Sequence, residues 1–416
     1  MNRGALHSHR LRRVEEAFAS LPERYLGGEE GREATVQIRL SDLGRTWEVE
    51  IRPERCKVRT SPSRRPDVVI GTDGGTWLAL REGRLSGLDA FQQRRLWARG
   101  DLDVAVSFEG LFRLPDDRPP LLRIHDVRVR GARISTLTAG DGPQHVILLH
   151  GLGGAKSSFY ETVAALAPDY TVHAIDLPGF GASSKPLGAA YDAQFFARHV
   201  IRFMDTLAID RAHLIGNSMG GRVALEVAFG APSRVRTLSL LSSSMAFRRG
   251  REWVPLVRML RPELAMLPNI LRPEGVRNRF WSLVARPERL DPAVGDIAAN
   301  EFLRTLRSPA ARVAFYAAAR QIYLEAPDGE NGFWTRLAGL QPPALFIWGS
   351  EDPLVPARFS RHVARVLPEA PQVVLSDCGH VPQIELPERT HELIGGFIAS
   401  GGESTALPLR QLARSA

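Results

Sequence analysis

Cysteine, lysine and long apolar runs are the scarce features of this 416-residue chain. Only Cys56 and Cys378 occur, far apart, which excludes a disulfide framework and a cysteine-based metal site. No stretch approaches the roughly 20 consecutive apolar residues needed to span a bilayer. Arg3, Arg10, Arg12 and Arg13 stand near the amino terminus with no apolar core behind them. A secretory signal is therefore not expected, and a cytoplasmic location is the default expectation. Lysine is confined to positions 57, 156 and 185, so arginine carries nearly all the positive charge behind the net +8. That charge forms no dense basic block. It reads as solvated faces rather than a nucleic-acid footprint, with weak attraction to anionic membrane surfaces as its functional corollary.

What the chain does have is two rhythms. Leu11, Val14, Phe18 and Leu21 recur at helical spacing and stop before Pro22. Ala34, Val36, Ile38 and Leu40 then alternate with polar residues, as do Trp47, Val49 and Ile51 after the Asp42-Leu43-Gly44 turn, which predicts a β-hairpin. Val68 to Ile70 predicts another strand, Trp77–Arg81 and Leu88–Trp97 predict helices, and Val104 with Val106 predicts a closing strand. Pro115, Pro119 and Pro120 punctuate the chain and mark a linker at 119–123, closing a first domain over 1–118.

Beyond the linker, 124–400 alternates strand and helix, which predicts an α/β class domain with a mostly parallel, doubly wound sheet. Residues 245–340 break that rhythm with helical spacing alone and predict a cap over the carboxyl ends of the strands. The tail, 401–416, is expected to be disordered.

The chemistry concentrates at four strand ends. Gly216-Asn217-Ser218-Met219-Gly220 lies between an apolar strand and a helical run, where a sharp turn projects a serine hydroxyl clear of the backbone. His150-Gly151-Leu152-Gly153-Gly154 follows the strand 146–149, so a loop amide there can join that of Met219 in binding an oxyanion. Glu351-Asp352 and Gly379-His380 follow two further strands and supply an acid and an imidazole. Asp176 reads as a loop anchor, His150 as an organiser of the oxyanion loop, and Cys378 as a small filler.

Residues 124–400 resemble the α/β-hydrolase superfamily, including Asp176-Leu177-Pro178-Gly179-Phe180-Gly181 and the histidine loop Gly379-His380-Val381-Pro382. The resemblance implies an eight-stranded, mostly parallel sheet with helices on both faces and a helical cap. It also implies Ser218 as nucleophile, His380 as base, Asp352 rather than Glu351 as orienting acid, and Leu152 and Met219 as oxyanion-hole amides. No cofactor and no metal are implied. A serine at the elbow suits acyl transfer, whereas epoxide hydrolases and haloalkane dehalogenases of this fold carry aspartate there. The elbow also looks like that of carbon–carbon bond hydrolases of ring-fission products, though those usually have tryptophan where this chain has Val381.

Residues 10–113 resemble a sterol-carrier-protein-2-like lipid-binding domain, a small α+β fold, through Pro66–Asp73, Thr76–Leu80, Gly83–Phe91 and Leu96–Leu102. The resemblance implies an apolar ligand, with Trp77, Leu80, Phe91, Leu96 and Trp97 as candidate lining residues. Fused, the two modules lead us to expect a serine hydrolase of esters of hydrophobic or lipid-like compounds. Carbon–carbon bond hydrolysis is the alternative within enzymes, and lipid binding or transfer on a hydrolase scaffold is the alternative outside them. In the cap, Trp253, Leu256, Met259, Leu260, Leu264, Met266 and Leu267 suggest an apolar entrance.

Overall fold

A computed structural model describes residues 3–27, 33–60, 65–118, 120–247, 251–266, 273–290, 299–303, 305 and 307–403. The chain forms two compact units that divide between His125 and Asp126, except that Leu137–Gly140 group with the first. Pro119, Leu267 and the tail beyond 403 lie outside the described residues, as do parts of the cap.

The first unit opens with helix α1 (Arg3–Ala19) and a meander of β1 (Ala34–Leu40), β2 (Arg45–Arg52) and β3 (Arg55–Arg59). β4 (Val68–Thr72) leads into α2 (Gly74–Arg81), α3 (Gly87–Gln92), β5 (Leu96–Gly100) and α4 (Leu102–Ser107). The sheet runs β3-β2-β1-β4-β5, with β1 antiparallel to β2 and parallel to β4. Period-two burial puts Val36, Ile38, Val49 and Val68 on the covered face, where Phe18 of α1 stacks 4.5 Å from both Trp47 and Trp77.

Two expectations fail here. The helix expected over Leu88–Trp97 ends at Gln92; Arg94 takes a positive φ of 54°, and Leu96–Gly100 pairs antiparallel with β4. Gly71 permits that pairing, because a Cβ there would overlap the Trp97 indole. Val104 and Val106 lie not in a strand but in α4, whose start is capped by the Asp101 carboxylate accepting from Val104 N–H at 3.1 Å.

The second unit carries an eight-stranded sheet that begins with β6 (Leu122–Val129), β7 (Ala132–Ala139) and β8 (His145–Leu149). There follow α5 (Tyr160–Leu166), β9 (Thr171–Ile175), α6 (Ala193–Thr206), β10 (Ala212–Asn217), α7 (Met219–Gly230) and β11 (Val235–Leu241). β12 (Ala344–Gly349) and β13 (Gln372–Leu375) complete the order β13-β12-β11-β10-β8-β9-β7-β6. The six strands from β13 to β9 are all parallel to their neighbours. Apart from the half-buried edge strand β13, their centres are buried on both faces, so they read as continuous apolar runs.

β8 lies between β9 and β10, so the order reverses beside it and the loops leaving β8 and β10 share one edge. Among the described residues, 245–340 contains helices and no strand. Its last helix, Phe333–Ala338, belongs to the body rather than the cap, since Phe333, Trp334 and Leu337 are buried in the main core.

Candidate active site

The turn between β10 and α7 holds Ser218 at φ 52° and ψ −117°, a conformation costing about 1–3 kcal/mol for a residue with a Cβ. Backbone bonds fix it: Ser218 N–H donates to Leu241 O at 2.9 Å, and Ser244 N–H donates to Ser218 O at 3.0 Å. Gly220 and Gly221 are required by close approach, since a Cβ on either would overlap Leu149 O or the Ser243 hydroxyl. Met219 is the first residue of α7, so its N–H is among those that helix geometry leaves without an intrahelical partner.

His380 and Asp352 meet across the ends of β13 and β12. Nδ1 of the imidazole lies 2.8 Å from Asp352 Oδ2, and both residues are buried. The other carboxylate oxygen accepts Leu354 N–H at 2.8 Å and Val355 N–H at 2.9 Å, which leaves the acid no rotational freedom. A ring donating Nδ1–H to this carboxylate keeps Nε2 as its basic nitrogen. Asn217 ties the elbow to the histidine loop, its side-chain amide donating to His380 O at 3.0 Å and Leu241 O at 3.1 Å. Glu351 is directed elsewhere: it pairs with Arg286 at 2.7 Å and is substantially exposed.

The glycine loop after β8 reaches the same place. A Cβ on Gly151 would lie 3.3 Å from Ser218 Cβ, so this loop borders the serine directly. Its half-buried Leu152 packs against the main core. His150 is fully engaged, with Nδ1 2.7 Å from Gly151 O and Nε2 accepting Leu177 N–H at 3.0 Å. Burial lowers its pKa, and one neutral tautomer satisfies both bonds, so it organises the loop and is not available as a base. Asp176 is buried against Lys156 at 2.9 Å and accepts the Lys156 and Ala182 amides, anchoring the following loop. Burial pushes the Cys378 thiol pKa far up, which suits a filler and not a nucleophile.

Two features escaped the motif reading. Glu385 braces the histidine loop by accepting the N–H groups of Gly379, Val381 and Ala285 at 2.8, 3.1 and 2.7 Å. Burial raises its pKa despite those bonds. Its place five residues after His380 was visible, but nothing in the pattern gave it a task. Arg222, one turn into α7, is buried between Glu325 and Glu226. Only the Arg222–Glu226 half of that network has helical spacing; Glu325 comes from the far end of the cap region.

The five candidate lipid-lining residues do not form one group. Trp77 is central to the first unit's core and Leu96 packs against it, whereas Leu80, Phe91 and Trp97 lie outside that cluster. Trp97 is 43% exposed, with the Arg99 guanidinium 5.3 Å from its ring. Among the described residues, no group of three or more His, Cys, Asp or Glu side chains is arranged to hold a metal ion, and no helix is long and apolar enough to cross a membrane.

A serine on a strained elbow, an imidazole held by a buried carboxylate and a parallel sheet presenting both at one edge define a hydrolase architecture. The chain belongs to the alpha/beta hydrolase fold family, whose model matches residues 144–387, and residues 29–113 match the SCP-2 sterol transfer family. Over 262 residues it is 33% identical to the dihydrolipoyllysine-residue acetyltransferase component of the acetoin cleaving system of Pseudomonas putida. That match covers 62% of this chain, and the chain spans only 64% of that relative's length. A 2-hydroxy-6-oxononadienedioate/2-hydroxy-6-oxononatrienedioate hydrolase of Paraburkholderia phymatum is 29% identical over 289 residues, covering 64% of this chain and 91% of that protein. Among solved structures, a membrane phospholipase A described as a bacterial virulence factor is 27% identical, with a TM-score of 0.56 over 68% of this chain and 87% of that one.

Proposed function

We propose that the protein is a serine hydrolase of small hydrophobic carbonyl compounds, and that its reaction is hydrolysis of a carbon–carbon bond in a ring-fission-type diketone. The observation that carries the class is the His380–Asp352 hydrogen bond beside the Ser218 elbow. What favours carbon–carbon cleavage is the similarity to the ring-fission hydrolase over nine-tenths of that enzyme's length.

In this reading Ser218 Oγ attacks the carbonyl carbon while its proton passes to His380 Nε2. Asp352 stabilises the imidazolium, and the N–H groups of Met219 and Leu152 receive the oxyanion. Collapse breaks the carbon–carbon bond. Its electron pair goes to a leaving carbon conjugated with the second carbonyl, and His380 returns the proton there. Water activated by the same imidazole then releases the acid from Ser218. The SCP2-like domain holds an apolar ligand, each buried methylene contributing about 0.8 kcal/mol.

Ester hydrolysis is the second reading. It is favoured by Val381, where the carbon–carbon hydrolases carry tryptophan, and by the likeness to a phospholipase. Turnover of a 2-hydroxy-6-oxo-dienedioate, followed by loss of its chromophore, is compared with turnover of nitrophenyl esters of rising chain length. We expect kcat/KM for the dienedioate to exceed that for any ester by at least about ten-fold, and Ser218→Ala to lose about a thousand-fold or more on both. A preference for esters would replace the first reading with the second. Equal rates for wild type and Ser218→Ala would remove both and leave a lipid-binding protein on a hydrolase scaffold.

A further inference from the structure

Twelve large hydrophobic side chains are exposed among the described residues, and six of them fall within fourteen consecutive positions of the cap. They are Trp253, Leu256, Met259, Leu260, Leu264 and Met266, with Trp253 60% and Met259 78% exposed. Scattered surface leucines need no explanation, but such density in one short segment marks a surface that meets something.

The backbone of this segment is held while its side chains are left outside. Arg320, from the helix Pro309–Leu324, donates to Val257 O at 3.0 Å and Arg258 O at 2.7 Å. Arg312 of the same helix donates to Ala265 O at 2.7 Å and Met266 O at 3.2 Å. Arg251 caps the other end on Tyr323 O and Glu325 O. Arg320 and Arg312 thus bind carbonyls of the segment itself and Arg251 ties its start to the end of the same long helix, so the apolar side chains are presented rather than merely loose.

Between the apolar residues lies an open groove of about 650 Å³, bordered by Arg258, Arg261 and Arg320 against a single acid, Glu263. Arg258 and Arg261 are exposed and make no ion pair among the described residues. Unpaired guanidinium groups interleaved with Leu, Met and Trp match a surface that is anionic at its headgroups and apolar just beneath. A second copy of this chain fits poorly, because a two-fold contact would bring the same arginine-bearing patch against itself.

We propose that residues 251–266 dock the protein on an anionic phospholipid surface, the arginines meeting phosphates and the Leu, Met and Trp side chains entering the headgroup boundary. The helix that clamps this segment also borders the site. Its Phe315 packs edge-on against Phe302, and at Gly153 of the oxyanion loop a Cβ would overlap the Phe302 ring and lie 3.1 Å from that of Phe315. Docking therefore sets one element between the lipid surface and the catalytic edge, and supplies apolar compounds partitioned in the bilayer. The inference goes beyond the hydrolase reading and does not need it, because binding is measured without turnover.

The full-length protein is sedimented with vesicles of phosphatidylcholine alone or with about one-third phosphatidylglycerol, at low and high salt. Binding is expected on the anionic vesicles, weakened at least about ten-fold by high salt. Leu256→Ser/Met259→Ser/Leu264→Ser and Arg258→Glu/Arg261→Glu should each weaken it by about ten-fold or more, with the circular dichroism spectrum and the thermal midpoint of wild type retained. Absence of binding to anionic vesicles overturns the proposal, and so does undiminished binding of both variants. A wild-type dimer that the triple variant dissociates, seen by sedimentation velocity, assigns the patch to a protein contact and overturns it as well.

Discussion

Arg81 and Arg222 are both almost fully buried, one in each unit, and the two units treat them differently. Arg81, at the end of α2, has no carboxylate at ion-pair distance among the described residues and leaves its Nε and one Nη without a hydrogen-bond partner there. Its guanidinium lies 4.9 Å from the Phe112 ring and 5.8 Å from that of Trp77. Burial, aided by the charge of Arg24, pulls its pKa down to about 10, so it stays charged at neutral pH. Arg222 also lies against aromatic rings, but Glu325 takes its Nε and Glu226 takes an Nη. Burial alone would lower its pKa; the two carboxylates outweigh burial and raise it. One unit thus stabilises an internal cation with local π faces, and the other with acids gathered from distant parts of the chain. The second strategy fixes geometry, and the unit that uses it is the one carrying the serine, the acid and the imidazole.

If fixed polar pairs serve chemistry in the second unit, the largest effect should come from the pair nearest the serine. Asp352→Asn keeps the volume but reverses the demand on His380 Nδ1, favouring the tautomer that cannot accept the serine proton at Nε2. We expect kcat to fall by roughly 10³–10⁴ with little change in thermal midpoint, by analogy with the same substitution in serine proteases. A loss of less than ten-fold would mean that the 2.8 Å bond is not what orients the imidazole.

Exchanging the two arginines for a neutral side chain of similar length tests the comparison itself. Arg222→Met leaves the largely buried Glu325 without its cation, while Glu226 keeps Arg336, and should cost about 3 kcal/mol, read from urea unfolding. Arg81→Met removes a cation that has no buried acid bonded to it and should fall within about 1 kcal/mol of wild type, in either direction. Equal costs at the two positions would erase the distinction.

The same contrast decides what was legible in the sequence. Elements whose signals are local were readable: the hairpin around Asp42-Leu43-Gly44, the βα alternation from Val146 onward, and the elbow itself, whose glycines announce a crowded turn. Where a local signal competed with a distant one, the reading failed. Leu96 and Trp97 continue a helical spacing, but Arg94 breaks the helix and β4 supplies the strand partner that only folding reveals. β3 carries no clear strand signal, because Arg55, Lys57 and Arg59 hide the two inward positions, Cys56 and Val58. At Val104 the alternation with Val106 points to a strand, while Asp101, three residues earlier, is the N-cap signal that folding obeys. Arg222 and Glu325 are 103 positions apart, and no spacing rule connects them. The triad candidates were legible for a different reason, since each follows an apolar strand and parallel strands deliver their ends to one edge.

The smallest expected effect is a divergence of the two units with pH. In the first unit, burial pushes the Glu109 carboxyl up to about 7, with the Gly87 N–H bond and Arg81 opposing. Folded Glu109 therefore holds a proton that the unfolded chain releases above about 4.5, and its contribution to stability fades as pH rises through about 7. In the second unit, burial lowers His213 and His391 to about 4, as it lowers His145, His150 and His199. Those rings stay neutral when folded and take up protons when unfolded, so stability present above about 6.5 is lost as pH falls toward about 4. Glu161, also pushed to about 7, and Glu385, raised as well, oppose the histidines but are outnumbered. Acidifying from about pH 7.5 to about pH 5.5 should accordingly strengthen hydrogen-exchange protection in β1–β5 while weakening it in β8–β13. If protection moves in the same direction in both sheets, the buried histidines do not dominate the second unit. Its acid response would then follow the carboxyl groups, as it does in the first.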